Sequence, residues 1–262
     1  MTAQQTLSAH DARAQEEAYL EEVKARLKNA VEEANRRLKN YSQEIQAQKT
    51  YLWESRDEMD HIEKISQRES IEQTVMTGDQ VLEQKRRLQK LQKSLYFGRF
   101  DFARGGERSE PIYIGIHHFR DEADKKTLVH DWRAPIASLF YDYETGPAFY
   151  SSPEGRVAGD IRLKRQFRIK NGEIELMIDS AVNVVDKVLQ DELGRASDEG
   201  MKNIVATIQR DQNTIIRNDE AGVLIIQGVA GSGKTSIALH RIAFLLYRFK
   251  DTLSSEDILI IS

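Results

Sequence analysis

The first hundred residues of this 262-residue chain contain no proline, and all four prolines fall between Pro111 and Pro153. Proline removes a helical hydrogen bond and collides with the preceding turn, so a long stretch without it is free to run as helix. From about Asp11 to Leu95 the composition is Glu, Gln, Lys, Arg, Leu and Ala, and Gly78 is the single glycine. Apolar or aromatic residues recur at Leu20, Leu27, Val31, Ala34, Leu38, Tyr41 and Ile45, and from Leu27 the steps are 4, 3, 4, 3, 4. That is a heptad seam. Opposite charges on its flanks, Glu21, Glu22, Glu32 and Glu33 beside Lys24, Lys28, Arg36, Arg37 and Lys39, suit exposed helix faces. The pattern blurs between Tyr51 and Gln67 and returns with Ile71, Val75, Val81, Leu82, Leu88, Leu91 and Leu95. Two narrow strips can bury each other, which predicts two helices reversing near residues 53–65 as a long antiparallel coiled-coil arm over residues 1–95. A homodimeric coiled coil, or a helix packed on the body, satisfies the same pattern.

The reversal reads Tyr51-Leu52-Trp53-Glu54-Ser55-Arg56-Asp57-Glu58-Met59-Asp60. Clustered carboxylates can hold Mg²⁺ or meet a basic partner surface. They are also what helix surfaces and first turns ordinarily carry. Trp53 is the less expected neighbour, because an exposed tryptophan often marks a contact. Trp53, Glu54, Asp57, Glu58 and Asp60 are therefore candidate partner-binding residues.

At Tyr96 the texture changes to short alternating runs: Phe97–Phe102, Pro111–His118, Thr127–His130, Ala148–Ser151, Ile161–Ile169 and Glu173–Ile178. Lys170-Asn171-Gly172 is a hairpin turn between the last two. Residues 96–180 read as a small β-rich domain, interrupted by His130-Asp131-Trp132-Arg133-Ala134-Pro135 and a short helix over Ile136–Tyr143. Asp131, Trp132 and Arg133 are either a recognition cluster or a buried corner braced by an ion pair. Lys164-Arg165-Gln166-Phe167-Arg168 either touches phosphates or forms an exposed strand face.

Residues 181–262 carry the strongest motif. Helical patterns over Ala181–Arg195 and Asp198–Arg217, the latter capped by Ser197, precede the apolar run Val223-Leu224-Ile225-Ile226-Gln227, which has the length of a buried parallel strand. It leads into Gly228-Val229-Ala230-Gly231-Ser232-Gly233-Lys234-Thr235 and then the helical pattern Ser236–Phe249. A strand, then G-x-x-x-x-G-K-T, then a helix is a phosphate loop in its proper setting. Glycines let backbone N–H groups converge on phosphate, and the helix N-terminus adds partial positive charge. Lys234 reaches the β- and γ-phosphates and the Thr235 hydroxyl completes a Mg²⁺ shell, so ATP and Mg²⁺ are the expected cofactors and Gly228–Ser236 the expected cradle.

The loop and the following Ser236-Ile237-Ala238-Leu239-His240-Arg241-Ile242-Ala243-Phe244-Leu245-Leu246 resemble motif I of UvrD/Rep-type superfamily 1 helicases, although that family often has a basic residue where Ser236 stands. Ile208-Gln209-Arg210-Asp211-Gln212-Asn213 resembles the adenine-reading Q motif. Gln212 lies 16 positions before Gly228 and is the preferred adenine reader, with Gln209 second. Taken with the charged arm, Tyr96–Phe102, Ile112–Gly115, Asp131–Tyr141, Lys164–Gln166 and Met201–Gln209, the chain resembles the HelD family of helicase-like ATPases that bind bacterial RNA polymerase. The resemblance implies that the arm enters the polymerase's secondary channel with its acidic tip toward the active site. It also implies an α+β and α/β multidomain fold: arm, β-rich domain, and the start of a P-loop RecA-like motor domain.

Composition narrows the classes further. Net charge is −4, which disfavours a globally basic nucleic-acid binder, and zero cysteines exclude disulfides and thiolate metal sites. None of the six histidines has zinc-site spacing. No apolar run approaches the roughly 20 residues of a membrane span, and Met1–His10 lacks a signal-peptide apolar region, so a soluble, cytoplasmic protein is expected. Only 27 residues follow Thr235, too few for a downstream acidic motif, arginine fingers or a second RecA-like domain. The expectation is an N-terminal part of a longer ATP-hydrolysing motor, itself inactive in turnover, that helps release or recycle RNA polymerase from nucleic acid. The alternatives are a 3′-to-5′ DNA helicase of repair or recombination, and a non-catalytic polymerase-binding module. The acidic tip has the wrong sign for a phosphate backbone and favours polymerase over DNA as the arm's first partner.

Overall fold

The computed structural model describes residues 9–93, 95–179, 208, 210–229 and 231–261. The expected helix Ala181–Arg195, its successor before Arg210 with the cap Ser197, and the site residues Gln209 and Ala230 lie outside the described residues. The chain divides into two compact units.

The first unit holds residues 1–95, 119–126 and 170–173. Helix α1 (Ala9–Glu54) and helix α2 (His61–Lys93) have 46 and 33 residues, so α1 alone extends about 70 Å at 1.5 Å per residue. They run antiparallel. Gln48 Nε2 lies 3.4 Å from Ser70 Oγ, and a Cβ built on Gly78 would sit 3.8 Å from that of Tyr41. Leu20, Val23, Leu27 and Ala34 of α1 and Ile71, Val81, Leu88 and Leu91 of α2 are buried, while Val31, Leu38, Tyr41 and Ile45 are half-buried. Val75, expected in the seam, is 38% exposed. The inward positions of α2 are Ile71, Thr74, Gly78, Val81, Lys85 and Leu88, a run of 3- and 4-residue steps that passes beside Val75. Residues 119–126, which include the short strand β3 (Phe119–Arg120), are latched to α1 by Arg26. Its Nη1 donates to Asp121 Oδ2 at 2.7 Å and to Asp124 Oδ2 at 2.5 Å.

The second unit is built on strands β1 (Gly98–Arg104), β2 (Glu110–Gly115), β4 (Thr127–Asp131), β5 (Gly146–Ser152), β6 (Gly155–Lys170) and β7 (Glu173–Asp179). Their order is β4-β2-β1-β6-β5, with β7 also paired to β6. All expected runs of the β-rich segment form strands. β1 pairs antiparallel with β2 and β6, and β5 with β6, whereas β2 and β4 pair in parallel through Ile114–His130 and Gly115–Asp131. Asn171 and Gly172 have φ of +53° and +77°, the left-handed pair that a two-residue hairpin turn requires.

After β4 the chain turns through a 3₁₀ segment (Pro135–Ala137) into helix α3 (Ser138–Asp142). Helix α4 (Arg210–Arg217) and helix α5 (Lys234–Arg248) follow the sheet. Phe100, Phe102, Ile114 and Ile161 of the sheet share one hydrophobic core with Leu139 and Phe140 of α3, Ile216 of α4, and Ile237 and Phe244 of α5.

Two apolar runs, the expected strand Val223–Gln227 and the stretch after α5, form no strand. Val223–Gln227 carries no ladder pairing: Leu224 and Ile226 are half-buried, and Val223 and Ile225 are 84% and 87% exposed. The run therefore lays one face on the protein, where the sequence had suggested burial on both. Asp257–Ser262 begins inside a 3₁₀ turn (Ser255–Asp257) capped by Ser254, and Leu259 and Ile261 are exposed. An apolar run becomes a buried strand only when neighbours supply hydrogen-bond partners on both edges, and neither run has them among the described residues.

Candidate functional site

Residues 228–229 and 231–233 form a tight turn leading into α5. Gly231 and Gly233 have φ of +81° and +78°, which Cβ-bearing residues rarely adopt. At Gly228 a Cβ would lie 2.7 Å from Ser232 Oγ, so a larger residue there requires that hydroxyl to swing away. Gly233 is the N-cap of α5 with no side-chain cap, so Lys234, Thr235 and Ser236 occupy the first turn, whose N–H groups have no helical acceptor. The Lys234 ammonium turns back onto the loop, donating to Gly228 O at 2.9 Å and Val229 O at 2.7 Å. Ser232 N–H donates to Val229 O at 3.2 Å. Thr235 is exposed. An arriving anion must exchange for these internal bonds.

Gln212 lies half-buried in the first turn of α4. Helices α4 and α5 are joined by Arg241, whose Nη1 donates to Ile215 O at 2.9 Å and also to Asn218 O. Helix α4, which carries Gln212, and helix α5, which begins at Lys234, are thus neighbours.

Asp131–Ala134 is a buried corner. The Asp131 carboxylate takes Arg133 Nε at 2.8 Å and Nη2 at 2.6 Å, and also the Arg133 backbone N–H at 2.9 Å. Trp132 N–H donates to Gly115 O at 2.9 Å, fixing the corner to β2. Of the two sequence readings, the braced corner is the one realised.

Sequence reasoning missed Asn213 and Arg217. Arg217 donates to the carbonyls of Trp132 (2.5 Å), Arg133 (3.2 Å) and Ala134 (3.3 Å), and its Nε donates to Asn213 Oδ1 at 3.0 Å. Asn213 Nδ2 in turn donates to Asp142 Oδ1 at 2.7 Å. Burial pushes the Asp142 carboxyl above its usual range and the Arg217 guanidinium below its own. These residues line a cleft of about 940 Å³ with Tyr143, Phe149 and Tyr247. The cleft meets α5 at its C-terminal half, the end opposite Lys234. In a short polar helix, RDQNTIIR, the burial of Asn213 and the half-burial of Arg217 leave no mark in the sequence pattern.

The basic run of β6 serves neither reading offered for it. Lys164 is buried and donates to Tyr143 O at 2.8 Å, and its pKa is lowered by desolvation. Arg165 is buried and donates from Nε to Asp179 Oδ1 at 2.5 Å.

At the α1–α2 reversal, Trp53 is 70% exposed, with the Arg56 guanidinium 4.2 Å from its ring centroid. Glu54, Asp57 and Glu58 are exposed. Asp60 begins α2 in a reciprocal cap: Glu63 N–H donates to Asp60 Oδ1 at 2.8 Å, and Asp60 N–H to Glu63 Oε2 at 3.1 Å. Among the described residues, no group of three or more His, Cys, Asp or Glu is placed to hold a metal ion, and no helix is long and apolar enough to cross a membrane.

No curated protein matches the chain. A family model described as the DNA helicase IV HelD N-terminal domain matches residues 13–197, which take in nearly all of α1, all of α2 and the whole sheet but stop short of the loop that enters α5. That match spans more than half of the 262 residues, so the chain belongs to the HelD family and is part of a helicase-like protein.

Proposed function

We propose that the chain is the ATP-binding opening of a helicase-like motor whose α1–α2 hairpin, a coiled-coil arm, engages bacterial RNA polymerase and helps to free it from nucleic acid. One observation carries the nucleotide reading: the 228–235 loop combines two left-handed glycines, an uncapped helix N-terminus and a lysine at the first helical position. This donor set suits a phosphate, since backbone N–H groups and a helix N-terminus favour an anion and Lys234 supplies full charge. ATP with Mg²⁺, when bound, supplies the anhydride whose cleavage drives such motors. Lys234 would exchange its loop carbonyls for phosphate oxygens, the Thr235 hydroxyl would help to hold the metal, and Gln212 would hold the adenine edge. The whole motor's hydrolysis belongs to the same proposal.

The polymerase reading is supported by family membership and by the chemistry of the reversal, where Trp53 stands exposed beside Glu54, Asp57 and Glu58. An acidic tip suits a basic protein channel better than DNA. The test is capture of core RNA polymerase by the full chain and by a Trp53→Ala/Glu54→Lys/Asp57→Lys variant. Capture by the parent and its loss in the variant supports the arm. Equal capture by both removes it, and salt-sensitive DNA binding in place of polymerase capture favours a DNA helicase.

A further inference from the structure

Four contacts fall on one stripe of α5. Trp132 meets His240 edge-on, with ring centroids 5.7 Å apart. Arg133 Nη1 lies 3.5 Å from Ala243 O, and the Arg133 guanidinium lies 4.8 Å from the Tyr247 ring centroid. The Arg217 guanidinium lies 5.4 Å from the Phe244 ring centroid. Positions 240, 243, 244 and 247 follow the i, i+3, i+4, i+7 spacing of a single helix face. The other end of the same helix begins with Lys234 and Thr235.

We propose that the Asp131–Ala134 corner and Arg217 are positioning residues for the phosphate loop, and that nucleotide binding at the loop is felt at Trp132. The proposal rests on the nucleotide-binding reading above. His240 lies six residues from Lys234, about 9 Å along the helix. A phosphate entering the loop must break the bonds of Lys234 to Gly228 O and Val229 O and that of Ser232 to Val229 O. These bonds sit at the first turn of a stiff rod clamped along its stripe, so remodelling the loop tilts or shifts the rod against the corner. The corner is a rigid receiver. Asp131 grips Arg133 with both oxygens, Arg217 occupies three consecutive carbonyls, and Trp132 N–H is held by β2. The contact chain from loop to sheet is therefore continuous. Because coupling is reciprocal, weakening the corner must weaken nucleotide binding.

The chain has two tryptophans, Trp53 and Trp132, so 5-fluorotryptophan labelling gives two ¹⁹F resonances, assigned by Trp53→Phe. The full chain is titrated with Mg²⁺ and a non-hydrolysable ATP analogue, and bound nucleotide is measured in parallel by equilibrium dialysis. The Trp132 resonance should move saturably, with the midpoint that dialysis gives, and Lys234→Ala should abolish both signals. Arg217→Lys keeps the charge but loses the planar fork that reaches three carbonyls. It should raise Kd about tenfold with far-UV circular dichroism unchanged, within the usual range of coupling between sites. Nucleotide bound in dialysis with a stationary Trp132 resonance overturns the coupling, as does an Arg217→Lys chain that binds with the parent Kd. If that variant fails to fold, the ¹⁹F titration of the parent decides alone. Dialysis with no Lys234-dependent binding is a separate result: it defeats the nucleotide reading, and the coupling falls with it.

Discussion

The indole of Trp132 and the imidazole of His240 meet edge to face at 5.7 Å and 72°, both buried, so the corner after β4 and helix α5 share one packed joint. His240 Nδ1 lies 2.6 Å from Ser236 O, and a carbonyl partner makes that nitrogen the protonated one. That bond fixes the orientation of the ring against Trp132. Removing the indole leaves a cavity that this joint has no side chain to fill. Trp132→Ala should cost about 3–5 kcal/mol in urea unfolding, and Trp132→Phe distinctly less. A Trp132→Ala loss below about 1 kcal/mol would mean the joint is loose.

Asp60 separates two meanings of an acidic tip. Its carboxylate caps α2 through Glu63, which is a structural use of one of the four candidate carboxylates. Asp60→Ala should lower stability by about 1 kcal/mol, while Asp60→Asn keeps the acceptor oxygen and should be nearly neutral. Thermal unfolding of the two variants checks the cap. Polymerase capture by Asp60→Asn then reads the charge alone. If both variants unfold like the parent, the cap contributes nothing.

Much of this fold was legible in the sequence because the governing patterns are local. The proline-free seam, the alternating strands and the Asn171-Gly172 turn each depend on residues a few positions apart. Val75 shows the limit within a helix: choosing between adjacent positions needs the partner helix, and small Thr74 and Gly78 carry the seam there. Val223–Gln227 shows the limit for strands, since an apolar run does not disclose whether neighbours flank it. At the candidate site, the turns at Gly231 and Gly233 were legible because a positive φ is a local demand on residue type. Arg217 was not, because its three acceptors are carbonyls more than eighty residues away in sequence.

His130 gives the fold an acid sensitivity. Burial lowers its pKa from 6.5 to about 4, helped by His118, whose ring lies 6.3 Å away, and by Arg104. The unfolded chain takes up a proton as pH falls through 6.5, and the folded chain holds out until about 4. Stability is therefore full above pH 6.5 and falls progressively between 6.5 and 4, by at most about 3 kcal/mol from this group. Urea midpoints across that window should fall in the parent and flatten in His130→Gln. An equally steep fall in the variant assigns the acid sensitivity to other groups.

Arg26 predicts a titration shift. Its hydrogen bond holds the Asp124 carboxyl below the usual carboxylate range, assisted by the Lys126 N–H. In Arg26→Ala the Asp124 pKa should rise toward its ordinary value while the backbone bond keeps it partly depressed, as read by carboxyl ¹³C NMR. No change would show that the latch between α1 and residues 119–126 does not form in solution.

Lys234 and the glycine turns at Gly231 and Gly233 are proposed to bind the phosphates of ATP. That binding is tested most directly by equilibrium titration of the 262-residue chain with a fluorescent ATP analogue and Mg²⁺, beside Lys234→Ala. Saturable binding that excess ATP displaces is expected, weakened at least about tenfold in the variant, since a charge-assisted contact to phosphate contributes more than about 1.4 kcal/mol. Equal affinity of parent and variant, or no saturable binding by either, would contradict it.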